Sequence, residues 1–203
     1  MSQNPIQLSQ GQLDLIAKRY GISAGVSLAD IGCGNGEWVQ QWIRRGAKVQ
    51  GLEEASRMTA VVGEGISAGS PAASLPYAVH SLDRVLFRGT SAYTQSAFHP
   101  ELMIALANMG SLLKPHGRLV IPVSNEAEAE RWTSMLSIFP GAVRIRQLSS
   151  GISAYLTLSF LFGGAHKVTV VDLNIQDKQV SRLEWHRLAR EAVLKQTQTP
   201  NAA

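Results

Sequence analysis

The chain has 203 residues, of which 45% are hydrophobic and 17% charged, and its formal net charge is +4. This length and composition exclude a disordered or fibrous protein and predict one globular domain over residues 1–203 with a core of its own. The basic residues are dispersed and form no long run of like charges, so the charge pattern excludes a basic interaction tail.

The segment at the start of the chain, MSQNPIQLSQ, contains no basic stretch followed by an apolar run, and no apolar stretch approaches the roughly 20 residues that span a bilayer. The one cysteine, Cys33, has no partner for an internal disulfide. A lone thiol is typical of a reducing compartment, so we expect a cytoplasmic protein without a membrane anchor.

The first predicted element is an amphipathic helix over Leu8–Tyr20, which ends at Gly21. Leu13, Ile16 and Tyr20 recur on one face of this helix. Residues 1–27 are therefore expected to form a helical cap that precedes the first strand.

A glycine-rich turn follows, in the stretch LADIGCGNGEW from Leu28 to Trp38. The apolar residues before the turn predict the end of a buried strand, and the residues after Gly36 predict the start of a helix. Glycines allow the backbone to adopt positive φ angles and to approach a ligand closely. The free N–H groups of the helix start point back at the same turn, so this stretch predicts a binding site for a nucleotide-like ligand.

The spacing within the turn selects among nucleotide-binding motifs. The pattern is D-x-G-x-G-x-G, which differs from the dinucleotide motif G-x-G-x-x-G, and no Gly-Lys-Ser or Gly-Lys-Thr of a P-loop follows. It resembles the first motif of the class I S-adenosylmethionine-dependent methyltransferases, in which an acid precedes three alternating glycines. The resemblance implies a loop around the methionyl and ribose parts of S-adenosylmethionine, with Asp30, Gly32, Cys33, Gly34 and Gly36 as its cofactor-binding residues. We expect no nucleophilic role for Cys33.

A second strand, Lys48 to Leu52, ends at Glu53 and Glu54. A carboxylate about 20 residues beyond the glycine turn, at the carboxyl end of the next strand, can accept hydrogen bonds from both ribose hydroxyls. We assign this role to Glu53. Glu54 is interpreted as a solvated residue at a helix start, where the helix dipole favours negative charge.

The stretch from Gly63 to Ser74 is rich in glycine, serine and alanine, a composition that does not favour a strand. In the resembling family a third strand here ends with an acid that contacts adenine, followed by a Leu-Pro pair. The pair is present as Leu75 and Pro76, but Ser70 occupies the position of the acid. Adenine binding is therefore expected to use backbone groups, Ser70 and Leu75.

Ser81–Phe87 resembles the fourth strand of that fold, with Asp83 in a structural position near the beginning of the strand. The following loop, Arg88 to Phe98, is expected to face the ligand, because open α/β sheets bind ligands beyond the carboxyl ends of their strands. If the methyl acceptor is a hydroxyl, a general base is useful. Tyr93 and His99 are the candidate catalytic residues, although His99 also suits a purely structural position at a helix start.

The stretch LLKPHGRLVIPV resembles the Leu-Lys-Pro-Gly-Gly turn and fifth strand of the family, with His116 in place of the first glycine. Helices are predicted before it, over Pro100–Leu113, and after it, over Glu126–Phe139. His116 is expected to be an exposed turn residue without a chemical role.

The remainder of the chain predicts strands at Ala142–Gln147 and Ala154–Phe162, which would form an antiparallel hairpin. Lys167–Leu173 is interpreted as an extra strand and Gln176–Lys195 as a last helix, so that residues 164–203 comprise an extra strand, a C-terminal helix and a tail. The expected fold is α/β: a Rossmann-like, doubly wound, mostly parallel seven-stranded sheet with an antiparallel C-terminal hairpin and helices on both faces.

These features predict S-adenosylmethionine-dependent methyl transfer to a small molecule. An RNA- or protein-directed methyltransferase and a catalytically weak, methyltransferase-like partner protein remain as alternatives. The five histidines lack the short spacing of metal ligands, so no metal site is predicted. We expect no membrane partner, and the last strand and helix could supply a surface for a homodimer.

Overall fold

The computed structural model describes residues 7–54, 65–73, 75–88, 98–150, 166–177 and 179–198. Within these ranges the helices are α1 (Gln10–Tyr20), α2 (Glu37–Arg44), α3 (Pro100–Ser111), α4 (Glu126–Leu136) and α5 (Arg182–Gln198). The strands are β1 (Ser27–Ile31), β2 (Lys48–Glu53), β3 (Ile66–Ala68), β4 (Leu82–Phe87), β5 (Leu113–Val123), β6 (Ala142–Ser149) and β7 (Lys167–Asn174).

The limits of α1 follow from its sequence. Ser9 and Gln12 form a reciprocal capping box, in which each side chain accepts a hydrogen bond from the backbone of the other residue. Gly21 ends the helix in the left-handed conformation, with φ of 63°. Both limits therefore agree with the predicted helix to within two residues.

The seven strands form one sheet in the order β3-β2-β1-β4-β5-β7-β6. Strands β1 to β5 pair in parallel, whereas β7 is antiparallel to both β5 and β6. This arrangement confirms the Rossmann-like class of fold, including the antiparallel strands at its C-terminal end.

Two hydrophobic cores occupy the two faces of the sheet. One contains residues of α1 and α2, with Trp42, Ile16 and Tyr20 among the buried side chains. The other contains residues of α3, α4 and α5, with Trp132 and Trp185 buried against the sheet. The helices therefore cover both faces, and the carboxyl ends of the parallel strands remain as the edge where a ligand site can form.

One assignment near the C-terminus is wrong. Lys167–Leu173 is not an extra strand, because Lys167–Asn174 is β7, the seventh strand of the sheet, hydrogen-bonded between β5 and β6. Within the described residues the antiparallel partner of β6 is β7. The predicted strand Ala154–Phe162 lies outside the described residues. A strand that is covered on both faces of the sheet has a continuous apolar run, and Val168 and Val170 are buried on one face of β7 and Val171 on the other.

The region of the predicted third strand forms β3, which has only three residues and pairs in parallel with β2. His116 has φ of 62°, a left-handed conformation that favours glycine, which explains why the resembling turn has glycine at this position. Its ring pairs with Asp177, and both side chains are exposed. No helix within the described ranges has the length and apolar character needed to cross a membrane.

Candidate functional site

The glycine turn connects the carboxyl end of β1 with the first residue of α2. Gly32, Gly34 and Gly36 all have positive φ angles, of 77°, 59° and 81°. Residues with a side chain rarely adopt such angles, so the alternating glycines are needed for the path of this turn. A Cβ placed on Gly34 would meet no described atom within 4 Å, which leaves this part of the turn accessible.

The turn is hydrogen-bonded to the end of β2. The N–H groups of Gly32 and Cys33 both donate to the carbonyl of Leu52, at 2.8 and 3.2 Å. The next N–H group, of Gly34, donates to the Glu53 carboxylate, with 2.6 Å between nitrogen and Oε2. The glycine turn and the predicted ribose-binding residue therefore lie in direct contact.

Glu53 is a buried carboxylate with a relative exposure of 2%. It accepts hydrogen bonds from the backbone N–H groups of Gly34 and Glu54, and no ion pair joins it to a cation of the described chain. A carboxylate has about four acceptor positions, so two N–H groups leave capacity for further donors. Glu53 can therefore accept hydrogen bonds from a ligand that carries neighbouring hydroxyl groups.

Asp30 lies below the glycine turn and is entirely buried under α2. Its carboxylate pairs with Arg88, with 3.1 Å from Oδ1 to Nε and 3.4 Å from Oδ2 to the terminal nitrogen. The guanidinium of Arg88 also lies over the ring of Trp38, 3.8 Å from its centroid. Burial raises the pKa of Asp30, and the positive charge of Arg88 acts in the opposite direction. Asp30 and Arg88 thus join β1, β4 and the start of α2 beneath the turn.

Cys33 is buried between the turn and β2. Burial is the main cause that raises the pKa of its thiol to about 12, and the negative charge of Asp30 adds to the effect. A thiol with such a pKa is a poor nucleophile at neutral pH. A Cβ on Gly51 would lie 2.8 Å from the Cys33 sulfur, so β2 approaches the turn closely because position 51 has no side chain.

The segment after β3 forms the other side of the candidate site, across from the glycine turn. Gly69 donates its N–H to the Glu53 carbonyl at 2.9 Å, which places Ser70 directly after a residue that is bonded to the end of β2. The Ser70 hydroxyl accepts a hydrogen bond from the N–H of Ala72. Leu75 is buried in the core with α3, so its side chain packs against the protein.

The candidate catalytic residues are less defined. His99 precedes α3 at its N-cap position, is exposed and makes no side-chain capping bond. Tyr93 lies outside the described residues. Their catalytic role therefore stays a prediction.

Two residues near the site were not recognised in the sequence. Arg88 was expected in the acceptor loop, but its guanidinium lies beneath the glycine turn. Asn108, in the middle of α3, donates through Nδ2 to the carbonyls of Pro71 and Ala73, at 3.0 and 2.9 Å. Asn108 is buried at 2% exposure, and a polar residue in an apolar helix is the one sequence signal that could have identified it.

The comparisons with known proteins agree with this geometry. Residues 29–121 match a family model described as a methyltransferase domain, whereas the comparison with curated protein sequences finds no significant relative. This matched region contains the glycine turn, Glu53, Ser70, the last three residues of β1, and strands β2, β3 and β4.

Solved structures share the fold at low sequence identity. The YcgJ protein of Bacillus subtilis is 12% identical, with a TM-score of 0.59 over 84% of this chain and 100% of its own. An S-adenosylmethionine-dependent O-methyltransferase of Thermotoga maritima is 14% identical, with a TM-score of 0.59 over 88% of this chain and 69% of its own. The 1,6-didemethyltoxoflavin N1-methyltransferase of Burkholderia thailandensis, whose structure contains S-adenosylhomocysteine, is 16% identical, with a TM-score of 0.54 over 83% and 78%.

The fold is the Rossmann-like fold of the S-adenosylmethionine-dependent methyltransferases named above. Residues 29–121, a little under half of the chain, match the model of a methyltransferase domain. The cofactor of the methyltransferases named above is S-adenosylmethionine, and the residues present fit it. The glycines allow a ligand to approach the backbone of the turn closely, and a buried carboxylate with unused acceptor positions lies beside the turn. Among the described residues, no group of three or more histidine, cysteine, aspartate or glutamate side chains could hold a metal ion.

Proposed function

We propose that this protein binds S-adenosylmethionine at the glycine turn and transfers its methyl group to a small molecule. The observation that carries the proposal is the contact between Gly34 and Glu53, which supports it because the turn and a buried carboxylate adjoin. The structural neighbours named above include an O-methyltransferase and an N-methyltransferase of a small heterocycle, which supports a small acceptor without identifying it.

Each residue of the site has a separate task in this proposal. Glu53 accepts hydrogen bonds from the two ribose hydroxyls, and the backbone of the turn passes close to the methionyl part. Ser70 and the backbone beside it face the adenine. Asp30 and Arg88 act indirectly, since their ion pair fixes the base of the turn and the end of β4.

The bound cofactor supplies an activated methyl group on a positively charged sulfur. The protein then needs chiefly to align an acceptor with that group, and alignment of this kind can contribute about 7 to 11 kcal/mol to lowering the barrier. Tyr93 and His99 are proposed to contact the acceptor. A general base among them would add about 10²- to 10⁴-fold for a hydroxyl acceptor, whereas a nitrogen or sulfur acceptor needs none.

Binding of the cofactor is the first test. Thermal unfolding is measured with and without S-adenosylhomocysteine, and a ligand at one hundred times its Kd should add about 2.7 kcal/mol to the free energy of unfolding. Calorimetry with S-adenosylmethionine provides the affinity directly. If millimolar concentrations of both compounds leave the folded protein unaffected, the proposed function is wrong and the hypothesis of a partner protein gains support.

The acceptor class is tested second, with S-adenosylmethionine labelled in its methyl group. The protein is incubated with a panel of small phenols, amines and thiols, and in parallel with total RNA and with a protein extract. Label transfer to a small molecule supports the proposal. Transfer only to RNA or only to protein would favour the alternative, a macromolecule-directed methyltransferase.

A further inference from the structure

Four arginines of the strands share the side of the sheet that α1 covers, and a fifth lies in the last turn of α1 itself. We call these five residues the arginine patch: Arg84, Arg118, Arg144, Arg146 and Arg19. Arg84 pairs in register with Arg118 across β4 and β5. The Nε group of Arg84 donates to the Tyr20 carbonyl at the end of α1, with 2.7 Å between the two atoms. The patch therefore extends from the last turn of α1 onto neighbouring strands.

One buried carboxylate, Asp172 on β7, lies at the centre of the patch. Arg146 donates to it from Nε at 2.6 Å, and Tyr20 donates from its hydroxyl at 2.9 Å. Arg144 lies opposite Asp172 in the register of β6 and β7. Arg118 stands 3.7 Å from Asp172 Oδ1, an oxygen that accepts no hydrogen bond from the described residues.

Among the described residues, Asp172 is the carboxylate that forms ion pairs with the patch, through Arg118 and Arg146. Asp83 binds Lys114, and its negative charge also acts on Arg84. The five arginines therefore outnumber the carboxylates that act on them. Repulsion from Arg118 adds to burial in lowering the pKa of Arg84, which agrees with an excess of positive charge at this place. The patch is therefore an electropositive surface whose positive charges the protein itself compensates only in part.

The opposite face of the sheet has a different distribution of charged residues. Glu126, Glu128 and Glu130 lie on α4, and Arg187 of α5 is held by two acids of its own helix, Glu184 and Glu191. The positive charge of the described chain is consequently concentrated on the α1 side of the sheet. An asymmetry of this kind is typical of a surface that meets an anionic partner.

The chemistry of the patch is that of phosphate recognition. Guanidinium groups bind phosphate oxygens in pairs with defined geometry, and all five cations here are arginines. Arg118 and Arg146 have side chains only 28% and 18% exposed, so the protein restricts them before any ligand arrives. The strands from β4 to β6 cover three strand spacings, or about 14 Å, which exceeds the size of one phosphate group.

We propose that the arginine patch binds the phosphate backbone of a nucleic acid strand. The patch lies on the α1 face of the sheet, and Arg84 precedes Arg88 by four residues along β4, so it is displaced from the glycine turn. The bound strand is thus held at a docking surface and not at the methyl-transfer site. The inference does not depend on the proposed function.

The test measures binding of fluorescent single-stranded RNA and DNA, of about 12 nucleotides, over a range of salt concentrations. The double variant Arg19→Glu and Arg144→Glu changes two exposed members of the patch. Arg190→Glu with Lys195→Glu on α5 makes the same change of charge on the opposite face and is the matched control. Inorganic phosphate and pyrophosphate serve as competitors, and binding of S-adenosylhomocysteine is measured separately for each variant.

We expect the wild-type protein and the control to bind with a similar salt dependence. The patch variant should bind at least about tenfold more weakly, and its slope of log affinity against log salt should be shallower by about 1.4, because two phosphate contacts are lost. An unchanged circular dichroism spectrum and melting temperature would show that the variant is folded. The affinity of the neutral variant Arg19→Gln with Arg144→Gln for the strand should lie between those of the wild-type protein and the patch variant.

Three results would overturn the inference. The first is a wild-type protein that binds neither strand at low salt, and the second is an equal loss of affinity in the control on α5. The third is competition by pyrophosphate as effective, per phosphate, as that of the strand, which would indicate a site for a small phosphorylated compound. Failure of the proposed function would appear differently, as absence of S-adenosylhomocysteine binding with binding of nucleic acid intact.

Discussion

The two sides of the candidate cofactor site are built differently. On the side of β1 and β2, the glycine turn is fixed by three hydrogen bonds to the end of β2 and by the buried Asp30–Arg88 pair below it. On the side of β3, the strand has three residues, and Ser70 stands where the family has an acid. Charged, buried groups thus form the side that is proposed to bind ribose, whereas backbone groups and one hydroxyl form the side that is proposed to bind adenine.

This difference indicates which side of the site contributes more to the free energy of cofactor binding. Hydrogen bonds to charged groups contribute about 1.5 to 3 kcal/mol, and those between neutral groups about 0.5 to 1.5 kcal/mol. Affinity for the cofactor should therefore depend more on the β2 side than on the β3 side. Four predictions test this comparison, in order of decreasing effect.

The largest effect is expected for Arg88→Met, which would leave the Asp30 carboxylate buried without its partner. Removing one member of a buried ion pair costs about 3 to 5 kcal/mol in the free energy of unfolding, measured by denaturant titration. The matched control is Lys114→Met, because the Lys114–Asp83 pair is partly exposed and should contribute less than about 1 kcal/mol. Recovery in the double variant Arg88→Met with Asp30→Asn would support the argument, and equal losses for Arg88 and Lys114 would contradict it.

Glu53→Ala should weaken binding of S-adenosylhomocysteine about tenfold to a hundredfold, since two ribose hydroxyls lose a charged acceptor. Isothermal titration calorimetry measures the change. The adjacent Glu54→Ala provides the control and should alter the affinity by less than about threefold. If the two variants bind alike, Glu53 does not contact the ribose.

Gly36→Ala tests the contact between the two sides of the site. A Cβ at this position would lie 2.1 Å from Cδ1 of Ile66 on β3, and the φ of 81° is unfavourable for alanine. We expect a loss of about 1 to 2 kcal/mol in the free energy of unfolding, from backbone strain and from displacement of Ile66. Adding Ile66→Val removes the Cδ1 atom and should recover only the steric part, and full recovery would show that the backbone is not strained.

The smallest effect is predicted for Ser70→Ala on the adenine side. The Ser70 hydroxyl accepts one hydrogen bond from the Ala72 backbone, so its loss should reduce cofactor affinity by less than about fivefold. The same calorimetric titration applies, with Ser67→Ala on β3 as the control. A loss as large as that of Glu53→Ala would mean that the adenine side contributes equally, contrary to the comparison.

The sequence predicted the elements that carry local signals. The glycine spacing located the turn, the apolar periodicity and Gly21 located α1, and the position of Glu53 after an apolar run placed it at the edge of the sheet. Their contacts confirm that turn and carboxylate adjoin, while their binding of the cofactor stays a prediction. These inferences succeeded because each depends on a few neighbouring residues.

Assignments that depend on distant partners were less successful. The sequence of Lys167–Asn174 shows an apolar strand but not that β5 and β6 flank it, because strand pairing is decided by the packing of the whole sheet. Arg88 follows a strand and resembles a loop residue, yet it is drawn beneath the turn by a carboxylate 58 positions earlier. A buried charge requires a partner, but sequence does not say which one.

The amino-acid sequence by itself determined that this chain forms an alternating α/β domain with a ligand turn at Gly32, Gly34 and Gly36, because backbone freedom and apolar periodicity are local properties. The tertiary structure decided that Asp30 pairs with Arg88 beneath the turn and does not lie at its surface. It also decided that five arginines far apart in the chain lie on one side of the sheet. Both outcomes arise from charges brought together by folding, whose energies depend on distance and burial in three dimensions.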